Sequence, residues 1–100
     1  MIEPEQLLKF IDHIRDIKGY LTALQVNFLG AEEKIAPYMA FLFKLGREDV
    51  DPVDFYEMLL ELRAVLGVMV TGYPETEGEI MPCVRAIDDL RSMLDMEFGR

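Results

Sequence analysis

The chain has no tryptophan, one cysteine (Cys83), one histidine (His13) and one serine (Ser92) among its 100 residues. Each scarcity removes a class of chemistry. A single cysteine cannot close an internal disulfide, which fits a reducing, cytoplasmic setting. Structural or catalytic zinc needs several Cys and His ligands, and one of each, far apart in sequence, does not supply them. A di-iron bundle needs paired Glu-x-x-His motifs, and none is present. Ser92 lacks a Gly-x-Ser-x-Gly setting, and no glycine-rich phosphate loop occurs. Cys83 has no basic neighbour in sequence and falls on an apolar helix face, so a buried, unreactive thiol is expected. His13 reads as a boundary residue. No catalytic residue, metal or cofactor is therefore expected.

Long hydrophobic runs are also missing. The greasiest stretch, 64–70, is too short to cross a bilayer. The N-terminal Met-Ile-Glu-Pro-Glu-Gln does not begin a secretory signal. Positive charge is scarce: 10 Lys and Arg stand against 19 Asp and Glu, a net charge of −9. Such a surface repels phosphate backbones and anionic lipids, so direct binding to nucleic acid or membrane is disfavoured. It suits a protein partner with a basic surface, and equally serves solubility.

What the chain has in excess is apolar material, 51% of residues. A domain of this length hides only about two-thirds of the surface its unfolded chain exposes. Self-association as a homodimer, or a lasting partner, is the natural expectation.

The apolar residues recur at helical spacing, and no segment reads as a strand. Helix one starts at Pro4, with the stripe Leu7, Phe10, Ile14, Ile17, Leu21, Leu24 and Phe28, and stops at Gly30. Helix two ends at Gly46, and Pro37 either kinks it or starts it. Helix three opens at Asp51-Pro52 and carries Phe55, Leu59, Leu62, Leu66, Met69 and Tyr73. Helix four has Thr76 and Glu79 at capping-box spacing, then Ile80, Val84, Ile87, Leu90, Leu94 and Phe98; Pro82 repeats the ambiguity of Pro37. Short connections predict an all-α, up-and-down four-helix bundle spanning residues 1–100 as one domain. An offset of 45 residues aligns Ile35-Ala36-Pro37 with Ile80-Met81-Pro82, compatible with two related hairpins, although amphipathic helices match at core positions in any case.

Helices two and three are apolar around too much of their circumference for a simple amphipathic helix. The surplus makes Tyr38, Phe41 and Leu42, with Tyr56, Leu60 and Val70, the candidate interface; each is also an ordinary core residue type. Arg63, in the same broad arc, can snorkel outward, anchor a partner or pair with an acid across the bundle. Acids gather at the connections, with Glu48, Asp49 and Asp51 in one group and Glu75 and Glu77 in the other. Helix capping accounts for most of them, and partner contact is their alternative use.

The function these features favour is a non-enzymatic interaction module, an adaptor, chaperone or inhibitor that occludes a partner's surface. The rival is a bundle that binds an anion, or a small enzyme, in a cationic pocket lined by Arg63, Lys18 and Gln25. A third reading is an acidic mimic of nucleic acid that occupies a DNA- or RNA-binding protein.

Overall fold

A computed structural model describes residues 1–99. The chain is all-α in its regular structure, with no strand among the described residues. Four helices, α1 (Ile11–Asn27), α2 (Ala31–Lys44), α3 (Pro52–Gly72) and α4 (Glu77–Phe98), enclose one apolar core. α1 packs on α4 and α2, and α3 packs on α4 and α2, so α2 and α4 lie across the bundle from each other. The α1–α4 seam is the most extensive of these four and the α2–α3 seam the least.

The helical stripes set the core. Ile14, Ile17, Leu21 and Leu24 of α1 are buried, as are Phe55, Leu59, Leu62, Leu66 and Met69 of α3, and Ile80, Val84, Ile87, Leu90 and Leu94 of α4. Each such side chain stabilises the fold by about 1.5–3 kcal/mol on removal from water. Tyr73, expected to close the α3 stripe, is exposed, because α3 ends at Gly72 and Tyr73 turns out of the helix.

The start of the first helix and the cap of the last differ from the sequence expectation, and the place of the two prolines is settled. Residues Pro4–Phe10 wind as a 3₁₀ segment before α1 begins at Ile11. Three residues per turn bring Leu7 and Phe10 onto one line, and both are buried. This segment is held by an isolated antiparallel bridge, in which Ile2 N donates to Val50 O (2.6 Å) and Val50 N to Ile2 O (2.9 Å). Thr76 does not cap α4 with its side chain; its hydroxyl donates instead to the carbonyl of Tyr73 at 2.7 Å. Both prolines sit inside their helices, Pro37 seven residues into α2 and Pro82 six into α4, so neither starts one. Each lacks the N–H that would bond the carbonyl four residues back.

The connections are short for definite reasons. Gly30 adopts a left-handed backbone (φ 85°) that lets α1 stop and α2 start almost at once. Asp51 accepts a hydrogen bond from Val53 N at 2.8 Å and caps α3 ahead of Pro52. No helix is long and apolar enough to cross a membrane among the described residues.

Candidate interaction surface

The least extensive seam of the bundle carries the candidate site. From α2 come Lys34, Pro37, Tyr38 and Phe41; from α3 come Asp54, Glu57, Met58, Glu61, Ala64, Val65 and Val68. They line two shallow depressions in succession along α3, of about 260 Å³ around Tyr38, Phe41 and Met58 and about 310 Å³ around Ala64, Val65 and Val68. The floor of the first is firm, because the Phe41 ring packs on buried Phe55 with centroids 6.1 Å apart. In the second, Val68 remains 66% exposed. A third hollow, bounded by Phe28, Leu29, Met69 and Tyr73, shares Lys34 with the second and carries the seam to the far end of α3.

Helical periodicity places these residues. On α3 the buried stripe is flanked by Met58 and Val65, and the next positions round are Asp54, Glu57, Glu61, Ala64 and Val68. On α2, Lys34, Tyr38 and Phe41 flank the buried Ile35 and Leu42. Asp54, Glu57 and Glu61 enter no ion pair with any described residue. The groove is therefore acidic at the end near the α2–α3 connection, where Glu48, Asp49 and Asp51 are also exposed, and apolar towards Val68. Glu75 and Glu77 are exposed at the opposite end of α3, so the two acidic groups stand apart.

The interface residues expected from sequence are not one patch. Tyr38 and Phe41 line the groove, half-buried. Leu42 is fully enclosed (0% exposed) and belongs to the core; its position on α2 points between α1 and α3 rather than outward. Tyr56, Leu60, Arg63 and Val70 share the other flank of α3, beside α4. Val70 is packed against the core there, and Leu60 is 38% exposed.

Arg63 pairs with an acid across the bundle, one of the three roles its sequence position allowed. Its Nε donates to Asp88 Oδ1 at 2.7 Å and its Nη2 to Asp88 Oδ2 at 3.3 Å. That hydrogen bond, and then the carboxylate's charge, raise the guanidinium's pKa from its already high value, with slight burial opposing. Asp88 also accepts from Arg91 Nη1 at 3.2 Å, and Arg91 stacks over the Tyr56 ring at 5.4 Å. Within this cluster Arg91 Nε and Asp95 Oδ1 are buried without a hydrogen-bond partner. The sequence allowed Arg63 an acid across the bundle without identifying it; Asp88, Arg91 and Asp95 recur at the three- and four-residue spacing that places them on one face of α4.

The cationic pocket of Arg63, Lys18 and Gln25 does not assemble. Lys18 lies over the Phe43 ring of α2 at 5.4 Å, while Arg63 is committed to Asp88 of α4. Their helices, α1 and α3, sit across the bundle from each other. Cys83 is buried, and burial pushes its thiol from 9.0 up to about 12. Among the described residues no group of Cys, His, Asp and Glu is disposed to hold a metal ion.

No protein-family model matches the chain, and neither a curated protein nor a solved structure shows detectable similarity to it.

Proposed function

We propose that this chain is a small acidic, non-enzymatic interaction module that works by seating part of another protein in the α2–α3 groove and so covering that partner's surface. The observation that carries the reading is the pair of shallow depressions that follow one another along the α2–α3 seam, the first with Tyr38, Phe41 and Met58 among three carboxylates and the second lined by Val65 and the exposed Val68. Soluble proteins seldom leave contiguous apolar area uncovered without a use for it. The bundle is taken as up-and-down, since the short connections turn each helix back beside the one before. We read its setting as cytoplasmic, where a lone buried thiol needs no partner.

The test is the size at which the tagged chain elutes from an extract of its own cells. The native chain should travel in a complex larger than itself. Val68→Asp should return it to its free size, because a charge on this exposed apolar wall becomes an unpaired ion once the partner covers it. Asp89→Lys, on the exposed side of α4, should leave the complex intact. Co-elution unchanged by Val68→Asp would exclude the groove.

Homodimerisation is a second reading and rests on a different patch. Leu8 (67% exposed) and Phe43 (53% exposed) rise beside a shallow hollow of about 270 Å³ lined by Pro4, Leu7, Ile11 and Leu45, with Lys18 at its rim. Light scattering should then give twice the chain mass, and Phe43→Asp should halve it. A monomer at all concentrations removes this reading while leaving the groove available.

A further inference from the structure

We propose that the occupant of the α2–α3 groove is an amphipathic helix with a basic flank, its Lys or Arg side chains set over Asp54, Glu57 and Glu61 and its apolar face continuing onto Val65 and Val68. The inference rests on the groove being the docking surface and adds the chemistry of what docks.

Charge decides the partner's sign. Asp54, Glu57 and Glu61 stand at spacings of three and four on one face of α3, exposed, and no described cation lies within ion-pairing distance of them. Three unpaired carboxylates beside apolar surface favour a positively charged ligand and repel a negative one. A second copy of this chain is the wrong occupant: it brings a net charge of −9 and offers one groove cation, Lys34, against three acids.

Shape decides the partner's conformation. Both walls of the groove are α-helices, whose backbone groups are paired internally except at the step Pro37 interrupts, so no strand edge is offered to an extended peptide. A helix satisfies its own backbone and presents side chains alone, which is the helix-in-groove mode. From Asp54 to Val68 the two depressions together span about 21 Å of α3 at 1.5 Å per residue, matching a helix of ~14 residues. Basic residues at i, i+3 and i+7 on that helix repeat the spacing of the three acids. The ends of the groove differ, acidic at Asp54 and apolar at Val68 with Lys34 beside it, so only one polarity of the ligand helix pairs its charges well.

The absence of tryptophan gives a direct readout. The probe is a helix-forming peptide of ~14 residues, with a leucine stripe, one tryptophan on that stripe and lysines at i, i+3 and i+7 on the adjoining flank. Titrating the full chain into it should shift the tryptophan emission to shorter wavelength with saturation. Affinity should fall as sodium chloride is raised, since the screening length shrinks from about 10 Å at 0.1 M to about 3 Å at 1 M. The double variant E57K/E61K changes exposed residues only; with an unchanged melting curve, it should weaken binding by about tenfold or more. A peptide with glutamate in place of the three lysines should give no shift.

Absence of the emission shift with the basic peptide overturns the proposal. Equal binding by E57K/E61K overturns it too, as does equal binding of the glutamate peptide or a self-dimer that Val68→Asp splits. If Val68→Asp still releases the cellular complex while the basic peptide fails, the groove stands as the docking surface and only the ligand's chemistry falls.

Discussion

Cys83 sits in the core face of α4 with its thiol pushed up to about 12 by burial. The folded state therefore holds the thiol proton more tightly than the unfolded chain does, whose value is 9.0. This contribution to stability is complete below pH 9 and is lost as pH rises towards 12. Ellman's reagent at neutral pH should find no reactive thiol in the native chain and one after denaturation; prompt labelling of the native chain would contradict the burial. A pair of leucines separates core from surface in the same way. Leu42→Asp should abolish cooperative unfolding, because it buries an unpaired carboxylate among core side chains. Leu60→Asp, on the exposed flank of α3, should cost at most about 1 kcal/mol. Paired thermal melts by circular dichroism read both. The helical wheel alone assigned these two leucines to one patch. Periodicity gives the angle of a side chain about its own helix but not which flank a neighbouring helix covers, and only the packing of α2 between α1 and α3 separates them.

Helices and stripes were legible because a repeat of three and four residues survives any choice of partner. The beginnings of the elements were less so. The 3₁₀ winding of Pro4–Phe10 accompanies a pairing between Ile2 and Val50, a contact across 48 residues that no local pattern announces. The prolines were ambiguous for a local reason: residues on either side of Pro37 and Pro82 continue the helical pattern, while proline itself favours a first turn. Gly30 joins α1 to α2 with φ at 85°, in the left-handed region that Gly46 also occupies in the α2–α3 connection. Gly30→Ala places a Cβ in that left-handed conformation at a cost of about 1–2 kcal/mol, although nothing lies within 4 Å to clash with it. Urea unfolding should record a lower midpoint with an unchanged slope. An unaltered midpoint would mean the turn relaxes without strain.

On the scale of the whole molecule, composition announces the apolar surplus and the negative charge but not where on the surface either collects. Assigning the surplus to α2 and α3 needed only their sequences. Finding that it splits, with Tyr38 and Phe41 in the groove and Tyr56 and Arg63 against α4, needed the order in which helices pack. Which acid Arg63 meets was undetermined for the same cause, since Asp88 and Arg91 come from another helix. The account stands on the groove being covered by another polypeptide. A photo-reactive benzoyl-phenylalanine, placed at Ala64 in the groove and separately at Ala23 of α1 and Ser92 of α4, all exposed positions, measures this directly in the native cell. Irradiation should yield one heavier adduct from position 64, its mass exceeding twice the chain's or falling between one and two chain masses, and none from 23 or 92. Adducts from 23 or 92 with none from 64 would contradict the account.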